Sequence, residues 1–571
     1  MLESQAKIHP ASPTFVELFT PKLVTVLLEG YGWRDLRADA LAGLTVAVVA
    51  LPLSMAIAIA SGVSPERGIY TAIAGGIMIS LFGGSRFQVG GPAGAFIGLV
   101  AGVVERHGYD GLALATAMAG LILIAVALLR AGTYIKYIPY PVTVGFTAGI
   151  AVIIGASQIK ELLGLHLAHE PADLVPKLIA LWQVVSTIHW PTVAITVLSV
   201  ALLILLIQRF RPTWPAFLIA VAAAALICAL FSLDVATITS RFGEMPRMLP
   251  SPALPTFSIE KLRAVAPDAV AIALLGAIES LLSAVVADGM TGRRHRSNCE
   301  LGAQGLGNIA SVLFGGICAT GLVARTATNV RAGARSPIAG LFHSAYVLLF
   351  LLVAAPLVAY VPLAALGAVL AVVAWNMTEK EELWSLLRGQ RGDAAVLLAT
   401  FLLTIFVNLV TGIAVGVVMG ALLFLHRMAE AVEVETGVTP TADDVADKAD
   451  PKNRYDAAAA MDRDLMVFHI SGAFFFGATA RVLSVLERVG TPRVLVLDFA
   501  DVPLIDTTAA RALVAFVKKI KRSGAVVYFS SARPNVRHLL NRAGLKPPLV
   551  AFAAKASDVR APESHERAVA T

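Results

Sequence analysis

From about Asp39 to Arg427 the chain alternates between long apolar runs and short polar breaks. Runs such as Ala40–Ala60 and Ala394–Leu425 carry no charge and reach the length a bilayer demands. The pattern predicts fourteen membrane segments. The first seven lie near 40–60, 68–83, 92–104, 111–130, 140–162, 189–208 and 213–232. The second seven lie near 266–289, 299–315, 322–333, 335–355, 360–376, 392–409 and 410–428. Segments 92–104 and 322–333 are too short to cross about 30 Å of hydrocarbon at 1.5 Å per residue. Helices broken inside a membrane need protein or a cavity around their exposed ends.

The two halves echo each other. Phe82-Gly83-Gly84 precedes the first short segment, and Phe314-Gly315-Gly316 precedes the second. Tyr137-Ile138-Pro139 matches Tyr360-Val361-Pro362, and Asp39-Ala40 matches Asp268-Ala269. The offsets are 232, 223 and 229 residues, so one duplicated unit of roughly 230 accounts for all three pairs. With seven spans per unit, the second copy must be inverted relative to the first. Inverted repeats with paired broken helices point to a transporter whose site lies at the repeat interface.

Composition supports a membrane protein: 57% of the 571 residues are hydrophobic, 15% are charged, and mean hydropathy is +0.75. The formal charge of +7 does not imply nucleic-acid binding, because Arg and Lys sit in short loops between apolar runs. Arg130, Lys136, Arg209, Arg211, Arg293, Arg294, Arg296, Arg331 and Arg335 fall in loops of one parity, which predicts cytoplasmic termini. No cleavable signal is expected, so the first span should serve as its own insertion signal. Cys228, Cys299 and Cys318 are scattered through apolar segments and are expected to be free thiols. No metal signature, phosphate loop or nucleophile motif occurs, so neither an enzyme nor a cofactor is expected.

Beyond Arg427 the character changes. Residues 429–463 are rich in Glu, Asp and Ala, suggesting a solvated linker. Residues 464–555 show soluble α/β patterning, with strands at Leu465–Ile470, Val494–Phe499 and Ala525–Ser530 and an amphipathic helix at Thr508–Ile520. The expected organisation is a cytoplasmic segment 1–38, a membrane domain 39–428 with repeats at about 39–232 and 266–428, the linker, the small domain, and a tail 556–571.

Gly90-Gly91-Pro92 opens the first short segment. Proline suits a first helical turn, and no capping side chain precedes it. Free N–H groups at a positive helix end make an anion site without a lysine. The competing reading is a simple turn between spans. In the repeat mate, Arg325 stands near the start of the second short segment. A charge there is costly unless it meets a cavity or partner, and a guanidinium can grip an oxyanion in a bidentate fork. Its alternative is a snorkelling arginine. Glu279 is isolated within apolar Ala271–Ala287, so it is a candidate proton carrier, or else a carboxylate locked to a neighbour such as Arg325. Ser283 lies one turn on, on the same face. Glu300, Gln304 and Asn308 form a polar stripe expected to brace spans, and Gly412, Gly416 and Gly420 form a close-packing face. His295 is expected to be a solvated loop residue.

These residues together resemble the SulP (sulfate permease) family of anion transporters over about Asp39 to Leu545. The resemblance rests on Ala42-Gly43-Leu44-Thr45 through Pro52, Gly68-Ile69-Tyr70 and Phe82-Gly83-Gly84-Ser85-Arg86. It rests further on Gly90-Gly91-Pro92 and on Ala324-Arg325-Thr326-Ala327-Thr328-Asn329 with Gly333-Ala334-Arg335-Ser336-Pro337. It implies a seven-plus-seven inverted repeat with core and gate subdomains in a bacterial inner membrane, assembled as a homodimer. It also implies a site between spans one, three, eight and ten. Carried over, the substrate-binding set is Pro52, Leu53 and Met55, Gly91, Pro92 and Ala93, and Ala324, Arg325 and Thr326. Glu279 and Ser283 form the proton-coupling set, since some sodium-coupled relatives have Asp where Glu279 stands. Leu51–Ala56, Gly276–Leu282 and Asp288–Gly292 look closest to bacterial C4-dicarboxylate transporters, which implies proton-coupled uptake of fumarate, succinate or aspartate. The alternative within the family is sulfate, bicarbonate or chloride. The small domain resembles a STAS domain, with Thr507 and Thr508 as regulatory candidates or part of a plain helix cap, and a cytoplasmic protein as its partner. A membrane sensor is the remaining alternative from another class.

Overall fold

The computed structural model describes residues 14–167, 170–209, 216–436, 465–487 and 492–559. Arg211, the linker from 437 to 463, the tail from 560 and residues 1–13 lie outside the described residues, as do the side chains of Lys136 and Arg209. The chain divides into two compact units, Met1–Gly420 and Ala421–Thr571.

All fourteen expected segments are helical in whole or part among the described residues. The first half runs Trp33–Ala60, 65–82, Gly94–Leu128 (spans three and four), Tyr140–Leu163, Trp190–Arg209 and Ala216–Leu230. The second runs Ile259–Thr291, Ser297–Leu313, Val323–Arg331, Ile338–Val358, Leu363–Met377, Arg391–Phe406 and Leu409–Glu430. Among the described residues, eight helices are long and apolar enough to cross a bilayer. Spans three and four join without a loop; Gly108, with φ 66° and ψ −175°, turns one into the other. That conformation is open to glycine and strained for other residues.

A two-residue ladder lies at the centre of the first unit. Strand β1 (Gly90–Gly91) pairs antiparallel with β2 (Thr320–Gly321), Gly90 facing Gly321 and Gly91 facing Thr320. The strands are 230 residues apart, so the crossed register is what a two-fold axis through the ladder generates. The same symmetry appears further out. The first span packs on the eleventh, and the eighth on the fourth; the second packs on the eleventh, and the ninth on the fourth. Asp39 opens the first span and takes hydrogen bonds from the loop before the eleventh, at Arg335 N (2.6 Å) and Ser336 N (3.1 Å). Its mate Asp268 opens the eighth and takes one from Arg106 (2.8 Å) in the turn before the fourth.

Spans one to four and eight to eleven thus form one group, the core. The fifth, sixth, twelfth and thirteenth pack on one another in a second group, the gate. Thr404 and Thr400 of span thirteen fill the space at Gly412 and Gly416 of span fourteen, and Pro139 meets Gly420, so that glycine face is used within the chain.

Contacts sort the loops into two sets. Arg296, after span eight, bonds to Thr20 O (2.8 Å) and Thr25 Oγ1 (3.1 Å), and Lys22 N bonds to Gly83 O after span two (2.9 Å). On the other side Arg67, after span one, bonds to Gly315 O after span nine (2.9 Å). This is the alternation that an inverted repeat requires.

Asp39 is wholly buried and also accepts from Tyr31 Oη (2.8 Å) and Ser336 Oγ. Asp39→Ala would strand these donors. It should cost on the order of 3 kcal/mol, seen as a lowered thermal midpoint of the purified protein. An unchanged midpoint would remove Asp39 as a brace between the first and eleventh spans.

In the second unit, a five-stranded sheet runs in the order β3 (Glu433–Thr436), β4 (Leu465–Ser471), β5 (Val494–Asp501), β6 (Val526–Ser530) and β7 (Ala551–Ala553). The β3–β4 pair is antiparallel and the others are parallel. Helices Phe476–Glu487, Thr507–Arg522 and Pro534–Arg542 accompany it. Strand β3 corrects the linker expectation: its Glu-Val-Glu-Thr sequence alternates as an edge strand does, but its acidity suggested a solvated connection. The first acidic residue of that stretch, Glu430, ends the fourteenth span.

Candidate functional site

Beyond the ladder, each strand runs into a helix start. Gly94–Phe96 begins the third span as a tight turn that continues into Ile97–Leu128, and Val323 begins the tenth. The residues at the cap positions are Ala93 and Leu322, and neither supplies a side-chain hydrogen bond. Two first turns therefore present backbone N–H groups beside a shared two-fold axis, the third span's mostly buried and the tenth's partly open at Val323 and Ala324. Gly91, Pro92 and Ala93 are buried; Ala324 is exposed. The structure brings these predicted residues together.

Arg325 is 2% exposed and is the largest fully buried side chain among the described residues. Its Nη2 donates to Ser54 Oγ at 2.8 Å, whereas Nε and Nη1 have no partner among the described residues. A Cβ on Gly91 would lie 2.4 Å from Nη1, so only glycine admits the guanidinium against the β1 backbone. Snorkelling is excluded, because the charge is held inside. Ser54 stands two residues after Pro52, which lies inside the first helix and cannot donate to the preceding turn. Pro52, Leu53 and Met55 are buried along this stretch.

The eighth span is applied to the crossing through small and polar residues. Thr320 Oγ1 donates to Gly276 O (3.2 Å), and Gln88 Nε2 to Ser280 O (3.1 Å). Ser283 Oγ donates to Thr326 Oγ1 (3.0 Å), which also accepts from Val89 N (3.2 Å). Ser283 thus fastens span eight to span ten, and Thr326 is a hub of that joint. Glu279 lies on the same side of the helix, one turn before Ser283. It is half-buried, with no hydrogen bond or ion pair among the described residues. The reading in which Arg325 locks Glu279 is therefore not found.

Glu300 accepts from Ser85 N (3.0 Å) and Gln304 Nε2 (2.8 Å), and Asn308 exchanges hydrogen bonds with Ala319 at 2.8 and 2.9 Å. The stripe braces the segments leading into both half-helices. His295 corrects an expectation: it is 11% exposed, and its Nδ1 and backbone N meet Asp288 at 2.7 and 3.0 Å. All three cysteines are free and buried.

Ser54, Gln88 and His343 were not anticipated. His343 is fully buried in the eleventh span, and both ring nitrogens lack partners among the described residues. A titratable residue inside an apolar run was the signal available for it. In the second unit, Asp506 caps helix Thr507–Arg522 by accepting from Ala509 N (2.7 Å), and it also accepts from Phe476 N (2.9 Å). Thr507 and Thr508 are exposed in the first turn, so the capping role falls to Asp506.

Paired half-helices at the centre of an inverted repeat define a multi-pass membrane carrier fold, with positive charge gathered at the crossing. The description of the sulfate permease family matches residues 36–400, and that of the STAS domain matches residues 457–556. The chain belongs to the sulfate permease family and is an anion transporter. It is 40% identical over 521 residues to a putative sulfate transporter of Bacillus subtilis, covering 90% of this chain and 95% of the relative. It is 30% identical over 526 residues to a bicarbonate transporter of a Picosynechococcus strain, covering 89% and 91%. Among solved structures, the transmembrane domain of a cyanobacterial bicarbonate transporter matches with a TM-score of 0.60 at 32% identity, covering 68% of this chain and 98% of that one. The structure of SLC26A9 matches with a TM-score of 0.77 at 19% identity, covering 92% and 89%, and speaks to fold alone. These names do not support the expected closeness to C4-dicarboxylate transporters.

Proposed function

We propose that this protein moves a small oxyanion, with sulfate favoured over bicarbonate, together with a proton across the plasma membrane by alternating access. The supporting observation is the charge gathered at one crossing. Each half-helix end is equivalent to about +0.5 charge, and Arg325 adds a full charge, for roughly +2. With Glu279 neutral, that matches a dianion; with Glu279 ionised, roughly +1 remains, which matches a monoanion. A proton on Glu279 would then set which charge the site accepts. The named sulfate transporter among the relatives agrees with the dianion reading. The basic loops at Arg130, Arg293, Arg294, Arg296, Arg331 and Arg335 support cytoplasmic termini.

Proteoliposomes test the assignment. Radiolabelled sulfate influx should rise under an inward proton gradient, with bicarbonate slower and fumarate at background. Fumarate flux without sulfate flux would replace this reading with the dicarboxylate one. Arg325→Ala should weaken sulfate binding by about 100-fold and bicarbonate binding by about 10-fold, because a fixed charge attracts a dianion about twice as strongly. The half-helix ends remain, so some affinity survives. Equal losses for both anions would separate Arg325 from the bound charge.

A further inference from the structure

The second unit carries a feature that transport leaves unused. Ten Lys and Arg fall between Asp506 and Asp558, and no Asp or Glu lies between those two residues. Part of this charge converges on a cavity of about 550 Å³. Helix Pro534–Arg542 buries Val536 and Leu540, one turn apart, against the sheet. Arg537, His538, Asn541 and Arg542, on the other side of the helix, are exposed and line the cavity. Lys546 follows a left-handed turn at Gly544 (φ 98°) and joins them from the next loop. The Arg537 guanidinium lies 4.6 Å above the ring of Phe552, which forms another wall. That cation–π contact holds the guanidinium beside the depression. No carboxylate lines the cavity, and none of these four basic side chains forms an ion pair among the described residues.

We propose that this cavity binds a phosphate-bearing ligand, recognised by Arg537, Arg542 and Lys546, with His538 and Asn541 completing the donor set. Guanidinium groups suit bidentate phosphate contacts, and a lysine adds a mobile point charge. The five side chains are exposed around an open depression, so a phosphate reaches all of them from solvent. The phosphate can come from a soluble compound or from a lipid headgroup, and the chemistry of recognition is the same.

The test uses the full-length chain in phosphatidylcholine nanodiscs. One arm titrates inorganic pyrophosphate by calorimetry; the other compares nanodiscs with and without phosphatidic acid, by protection of the helix 534–542 from hydrogen exchange. Saturable binding in either arm is expected, and the responding arm identifies the source. The triple variant Arg537→Ala, Arg542→Ala, Lys546→Ala should lose at least about ten-fold in affinity, whereas Arg537→Lys with Arg542→Lys should lose about three-fold. Lys546→Gln alone, in an exposed loop, should lose about three-fold and guards against a misfolded triple variant. Initial sulfate flux should be the same in all three. Binding that is absent in both arms, or equally strong in wild type and the variants, overturns the proposal.

Discussion

Gly91→Asp should abolish transport of every anion, with initial rates down by at least about a hundred-fold in proteoliposomes. Two effects add. A Cβ at Gly91 already falls 2.4 Å from Arg325 Nη1, so any side chain displaces the guanidinium from the β1 backbone. The new carboxylate would pair with Arg325 and place a negative charge at the half-helix starts, where an anion has to sit. Gly91→Ala separates the two effects: it displaces Arg325 without adding charge, and should retain more flux than Gly91→Asp. Retention time on size exclusion checks that both variants fold. Flux near wild type in Gly91→Asp would place the transport site away from the ladder.

Glu279→Gln should keep sulfate exchange but lose accumulation driven by a proton gradient. The amide has nearly the shape of a protonated carboxyl and leaves the roughly +2 field of the crossing in place at every pH. Sulfate counterflow should therefore persist and become independent of pH between acid and neutral conditions, whereas wild-type influx rises as the outer solution is acidified. Bicarbonate flux should fall in the variant, because a monoanion now meets an excess of fixed charge. A variant that still concentrates sulfate under an inward proton gradient would exclude Glu279 as the coupling group. His343, buried and unpartnered in the eleventh span, would be the next residue to examine.

Periodicity and repetition made most of the membrane unit legible. Apolar run lengths locate spans because the bilayer fixes their length, and the Gly-rich breaks at 83–91 and 315–321 marked the half-helices. What stayed hidden depended on contacts between residues far apart in sequence. Arg325 invited pairing with the nearest membrane carboxylate, yet its partner is Ser54, 271 positions away. No local pattern reports that a missing Cβ at Gly91 makes room for a guanidinium. His295 sits among arginines and resembles a solvated loop residue until the helix end brings Asp288 to it. Strand β3 offers a single core-facing apolar residue, Val434, between two glutamates, because it lies at a sheet edge where charge is tolerated.

The two-fold axis through the ladder has a consequence for how direction arises. In a perfectly repeated chain, the inward-open and outward-open arrangements would be images of one another and equal in energy. Any bias must come from positions where the copies have diverged. By the register of the ladder, the mate of Arg325 is Ala95. By the register of Asp39 and Asp268, the mate of Glu279 is Ala50. Both charged groups at the crossing thus belong to the second copy, while the first supplies only backbone and small side chains. The duplication yields a balanced machine, and two departures from alanine within it are where an imbalance can be written.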